Sequence, residues 1–168
     1  MKKSSKFALG LALLMTVAAV KHQKNKKGLL SGVYKETSRD VLADDAGRPQ
    51  YNYFYFKEDG TALLAQPETA NQYGDAGQGT WEYLGNDQFQ VKIKSIYDHN
   101  FYQLVMTRSG ENLTTPGTVK HAPFEWEADS YQQDEMVVAD FMDMFNQAKK
   151  SQQEKVAKNG YDVPENER

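Results

Sequence analysis

The clearest pattern in the chain lies in residues 88–94, where Phe89, Val91 and Ile93 alternate with Gln88, Gln90, Lys92 and Lys94. A period of two is that of an antiparallel strand with one face on a core and the other in water. Reading backwards, 79–83, 61–65 and the aromatic run 51–56 complete a meander of four strands. Asp59-Gly60 between the first two is a hairpin signal, expected as a type I′ turn because both residues tolerate positive φ. Residues 101–108, 111–115, 118–120 and 124–127 continue the strand pattern, punctuated by Ser109-Gly110 and Pro116-Gly117, and 32–37 supply a first strand. The expectation is an antiparallel β-barrel or half-barrel of seven or eight short strands over residues 32–127.

At Asp129 the period changes. Tyr131, Val138, Phe141, Met142, Phe145 and Ala148 fall three, four or seven apart, as on one face of a helix. Ser130 with Gln133 reads as a capping box at its start, and Asn159-Gly160 as its stop, giving a long C-terminal helix over 128–160 and a polar tail over 161–168. Its half from 149 to 158 is nearly all polar and is expected to project into solvent. The polar connection 66–78, with Pro67, Gly74 and Gly77, is long for a compact domain and is expected to form a rim or lid. Asp44-Asp45 reads as a turn, since the spaced ligands of a calcium loop are missing.

The first residues have the pattern of an address. Lys2, Lys3 and Lys6 precede an uncharged run over 7–20 of 14 residues, which as a helix would span about 21 Å at ~1.5 Å per residue. That is short of the roughly 30 Å hydrocarbon core. Residues 1–19 are therefore expected to be a signal peptide cleaved after Ala19, or a short membrane anchor. The basic linker 20–31 carries Lys21, Lys24, Lys26 and Lys27, charges that would suit an anionic membrane surface.

Composition narrows the function classes. The 168 residues carry 20 Lys and Arg against 23 Asp and Glu, a net charge of −3 that argues against a nucleic-acid partner. Without cysteine there is no disulfide, thiolate nucleophile or cysteine-bound zinc. His22, His99 and His121 are the only histidines, and neither a nucleophile elbow nor a phosphate-binding glycine loop occurs. Carboxylate pairs such as Glu125 and Glu127 read as solvated faces. No catalytic residue, metal site or cofactor is expected.

What the chain has in excess is aromatic residues, 12% with 10 Tyr. Along 51–56, Tyr51, Tyr53 and Tyr55 share one face and Phe54 and Phe56 the other. Two readings stand side by side. The phenyl rings fill a core while the tyrosines pair across the outer face, or one face lines a cavity for a small ligand. On the second reading the contacts would be Tyr53, Tyr55, Trp81, Tyr83 and Tyr102.

The sequence of short motifs Gly32-Val33-Tyr34, Phe56-Lys57-Glu58-Asp59-Gly60-Thr61 and Gly79-Thr80-Trp81-Glu82 resembles bacterial lipocalin-like (calycin-type) small exported β-barrel proteins. Tyr34 stands where members often carry Trp, and the lipid-attachment cysteine is absent. The resemblance implies a lipocalin-like barrel capped by one helix, with any ligand entering at an open end, and no reaction. The expected function is thus an exported, non-catalytic binding module for a small apolar or amphiphilic ligand, located outside the cell or in its envelope. The alternative is a cell-envelope protein-interaction domain with a filled barrel, whose exposed helix and basic linker hold the partner.

Overall fold

The computed structural model describes residues 28–37, 42–97, 101–115, 119–120, 125–126 and 130–160. The N-terminal segment 1–19, the lysines of the linker, His22, His99, His121 and the tail 161–168 lie outside the described residues.

The strands are β1 (Gly32–Glu36), β2 (Leu42–Ala43), β3 (Pro49–Gln50), β4 (Tyr53–Phe56), β5 (Thr61–Gln66), β6 (Asp75–Gly85) and β7 (Gln88–Ser95). They continue with β8 (Phe101–Ser109), β9 (Asn112–Thr114), β10 (Val119–Lys120), β11 (Glu125–Trp126) and β12 (Ser130–Asp134), followed by the helix α1 (Val138–Asn159). Eight of them close an antiparallel barrel in the order β1-β12-β9-β8-β7-β6-β5-β4. The order is that of the chain itself, so the barrel is an up-and-down meander. The β2-β3 and β10-β11 pairs form two small separate sheets inserted into it. Closure removes the exposed strand edges that an open sheet would present.

The eighth barrel strand is a correction to the sequence reading. Residues 130–134 do not start the helix: they pair with Thr114–Asn112 on one side and with residues 33–36 of β1 on the other. Without this strand β1 and β9 would face each other with unpaired backbone groups, and Tyr131, fully buried, would leave a hole in the interior. Ser130 and Gln133 therefore form no capping box. The helix starts at Val138 behind Val137, which makes no side-chain cap, while the Asp134 carboxylate accepts the Met136 N–H at 2.8 Å.

Two turns also differ from expectation. At Asp59-Gly60 only Gly60 has positive φ, +90°. The Lys57 carbonyl accepts the Gly60 N–H at 3.1 Å, and the Asp59 carboxylate accepts the Thr61 N–H at 2.9 Å. The turn with two positive φ values, 52° and 57°, is Asn86-Asp87 between β6 and β7, the type I′ geometry. The connection after β5 is shorter than it looked, because β5 and β6 stay paired as far as Gln66 and Asp75 and leave only 67–74 between them.

Alternation sorts the side chains into two cores. Tyr34, Phe54, Phe56, Leu64, Phe89, Val91, Ile93, Leu104, Met106, Leu113 and Tyr131 point inward and form the barrel core. Val33, Tyr53, Leu63, Ala65 and Ala76 point outward from neighbouring strands and are covered by Phe141, Phe145 and Ala148 of α1. The helix lies along the flank of the barrel. Its buried residues are Phe141, Phe145, Ala148, Ser151 and Gln152, so the stripe continues into the polar half expected to project. Val138, expected in the stripe, is 45% exposed, and Met142 is partly buried beside it.

Candidate functional site

The interior was the first candidate, and its chemistry is that of a filled core. Phe54 and Phe56 stack at 5.5 Å, Tyr34 meets Phe56 edge-on at 5.6 Å, and Tyr131 meets Phe54 edge-on at 5.1 Å. A void able to hold a small ligand would leave accessible area on its walls. Phe54, Phe56, Leu64, Phe89, Val91, Ile93, Leu104, Met106, Leu113 and Tyr131 have none.

Both ends are sealed by specific contacts. At the end where β6 turns into β7, the fully buried Leu30 closes the bottom, so the last residues of the linker belong to the barrel. Arg108 donates to the Leu29 carbonyl at 2.7 Å and to the Asp87 carboxylate at 3.1 Å, with its guanidinium 5.0 Å over the Phe89 ring. At the other end the Asp75 carboxylate accepts hydrogen bonds from the Ser95 hydroxyl (2.9 Å), the Tyr102 hydroxyl (3.0 Å) and the Gln152 amide of α1. The Gln152 amide oxygen in turn accepts the Tyr97 N–H at 3.3 Å. Next to it, Ser151 donates to the Glu68 carboxylate at 3.0 Å and accepts the Gly74 N–H at 3.0 Å. A β-carbon on Gly74 would lie 3.1 Å from the Ala148 backbone, which is why glycine permits the helix to come this close.

The residues expected to contact a ligand fall in separate places. Tyr53 and Tyr55 are on the outer wall beneath the helix, where the Tyr55 ring lies 5.4 Å from that of Phe141. Tyr102 is inside and bonded to Asp75. Trp81 and Tyr83 are brought together at the opposite end, their rings 5.9 and 5.2 Å from Phe89. The Trp81 indole donates to the Lys57 carbonyl at 2.8 Å and its backbone N–H to the Gly60 carbonyl at 2.8 Å. Two of the three motifs that carried the family resemblance, those over 56–61 and 79–82, are thus each other's partners, one strand docking on the other's turn.

Open space occurs at the rim. A pocket of about 190 Å³ is lined by Glu36, Gln50, Asn52, Gln66, Pro67, Thr69, Gln72 and Tyr73. A more open groove of about 410 Å³ is lined by Lys35, Glu36, Thr37, Tyr51, Gln132, Gln133 and Asp134. Glu36 borders both, its carboxylate accepting the Asn52 N–H at 3.1 Å. The Lys35 ammonium sits 3.9 Å from the centre of the Tyr51 ring. Residues 67–74 do form part of a rim, as expected of this connection, but the sequence reading passed over the amide side chains around it. Their only signal was a scatter of glutamines at strand ends.

Burial raises the phenol of Tyr34 above the ordinary tyrosine range, with Arg108 opposing and Glu111 adding to the shift. Tyr53 is raised in the same way by burial, with Asp134 and Tyr51 adding to it. Among the described residues no three His, Cys, Asp or Glu side chains stand where they could share a metal ion. Nor, among the described residues, is any helix long and apolar enough to cross a membrane. No protein-family model matches the sequence, and no curated protein is significantly similar to it.

Proposed function

We propose that the chain is a non-catalytic, lipocalin-like interaction module of the cell envelope, exported by its N-terminal segment, which holds its partner on the outside of its barrel. The observation that carries this reading is the filled interior: aromatic and aliphatic side chains without accessible area occupy the space that a carrier would keep for its ligand. The sealed ends support it too. Asp75, Ser95, Tyr102 and Gln152 are the nearest approach to a reactive cluster. Yet Ser95 is buried and donates to a carboxylate that also accepts from Tyr102 and Gln152, and among the described residues no base stands free to activate it.

The test is a titration of the folded protein with dodecanoate and with a lysophospholipid, read by the Met106 methyl resonance and by tryptophan fluorescence. No saturable change is the expected result. A saturable shift at Met106 would return the small-ligand reading in its place. Export is checked separately by N-terminal sequencing of protein from the envelope fraction or the medium, with a start at Val20 expected and an intact Met1 in the cytosol refuting it.

A further inference from the structure

The rim of the barrel carries a pocket and a groove whose linings include primary amides. Gln66 and Gln72 line the smaller pocket and Gln132, opposite Lys35 on the outer face of β12, the groove, on either side of Glu36. Each primary amide presents two donors and an acceptor oxygen, the complement of a hydroxyl group that both donates and accepts. Among the described residues the side chains of Gln66, Gln72 and Gln132 make no hydrogen bond to protein, so their capacity faces the open space. Tyr73 lines the pocket, and Tyr51, with the Lys35 ammonium over its ring, lines the groove.

Charge and desolvation weigh against the other ligand classes. An anion would meet the carboxylates of Glu36 and Asp134, and the cation lining the groove, Lys35, is held over the Tyr51 ring. A cation would find one oxygen of each carboxylate already accepting a backbone N–H, Glu36 from Asn52 at 3.1 Å and Asp134 from Met136 at 2.8 Å. It would also face Lys35. An apolar ligand would leave the glutamine amides without partners, a cost of desolvation with nothing returned. Size adds a constraint. The pocket of about 190 Å³ lies below the roughly 300–1,000 Å³ typical of sites that enclose a drug-sized molecule, whereas the groove of about 410 Å³ lies within it. The pocket has room for a single small ring, and Glu36 is the residue that lines both the pocket and the groove.

We propose that this pocket and groove form a binding site for a neutral glycan chain, one sugar ring seated between Gln66, Gln72 and Tyr73 and its neighbour lying along Gln132 and Tyr51. The site deepens the surface-binding reading above by naming ligand class and place, and it fails independently of it. Amphiphile uptake reports on Met106 inside the barrel; glycan binding reports on the rim.

The experiment is a titration of ¹⁵N-labelled protein with chitotetraose and, separately, with maltotetraose, to about 10 mM, tenfold above a Kd of ~1 mM. Saturable shifts of the side-chain amides of Gln66, Gln72 and Gln132 are expected. Chitotetraose alone would mark an N-acetylated wall-type glycan as the source, and maltotetraose alone a plain glucan. Gln72→Ala and Tyr73→Ala should each weaken binding at least about tenfold while the melting curve stays in place, since Gln72 is exposed and Tyr73 half-buried. Gln132→Ala, on the far side of Glu36, should do the same for the tetramer and leave a monosaccharide unaffected. Absence of saturable shifts with both probes, or binding that survives in the Gln72→Ala, Tyr73→Ala double variant, overturns the proposal. So does an equal response to a sulfated tetrasaccharide.

Discussion

Replacing Phe141 by alanine tests whether the flank helix is an integral part of the fold. The ring is fully buried, 5.4 Å from Tyr55 and 6.1 Å from Phe145. Its surroundings include Ala65 and Ala76, small residues fixed on paired strands that cannot move in to fill the space. A large-to-small change at such a site loses both transfer energy and the contacts around the cavity, about 3–5 kcal/mol for Phe→Ala. Because domains are stable by only about 5–15 kcal/mol, the loss is a large fraction of the total. For a chain of this length it corresponds to a fall in Tm of roughly 6–20 °C.

Urea denaturation at neutral pH, followed by circular dichroism, measures it. The midpoint should fall with the slope unchanged, because helix and barrel unfold together. Val138→Ala is the control: that side chain is 45% exposed and its loss should stay within about 0.5 kcal/mol. A cost below about 1 kcal/mol for Phe141→Ala, or an equal cost for Val138→Ala, would refute the packing argument. A separate early transition would show instead that the helix comes off a barrel that stands without it.

Gly79→Ala should be among the most damaging single changes in the barrel, since the added β-carbon would lie 1.7 Å from the Lys92 carbonyl oxygen and neither paired strand can yield; loss of the cooperative melt checks it. Gln152→Ala removes the amide that donates to Asp75 and receives the Tyr97 N–H, and should cost about 1.5–3 kcal/mol in a denaturant midpoint. Truncation after Gln152 keeps that contact and should leave Tm within a few degrees, as polar terminal turns contribute little. At alkaline pH the buried phenols of Tyr34 and Tyr53 ionise later than those of the unfolded chain. Their contribution is therefore complete below about pH 10 and lost as pH rises through their folded values, so stability should fall there and ultraviolet titration of tyrosinate should show a late fraction coincident with unfolding.

How far the fold could be read from sequence depended on how local its causes are. The alternation in β7 and the turn at Gly60 are set by residues within a few positions, and both elements stand where the pattern put them. The strand over 130–134 is set by partners 20 and 97 residues away in sequence, Asn112 and Lys35 opposite Gln132. Locally, Ser130 and Gln133 resemble a helix start, and only the need to close the barrel decides otherwise. The helix shows the same limit. Spacing located Phe141, Phe145 and Ala148, but hydrophobicity could not single out Ser151 and Gln152, which are buried by hydrogen bonds to Glu68, Gly74, Asp75 and Tyr97.

The candidate site was less legible, for a reason that lies in the geometry of strands. A period of two says which residues share a face and leaves open which face is inside. In β4 the choice puts Phe54 and Phe56 in the barrel and Tyr53 and Tyr55 under the helix, so the tyrosines that looked like ligand contacts are engaged in holding α1. Trp81 is engaged likewise by the Lys57 and Gly60 carbonyls. Aromatic residues are thus absorbed by the fold at the very positions where a carrier would leave them free. What remains unengaged at the rim, among the described residues, includes the side chains of Gln66 and Gln72 on one side of Glu36 and Gln132 on the other, which no periodicity marks because they come from strand ends and connections far apart in sequence. Closing the barrel brings them together, and it does so only because the strand mistaken for a helix start delivers Gln132 beside Lys35.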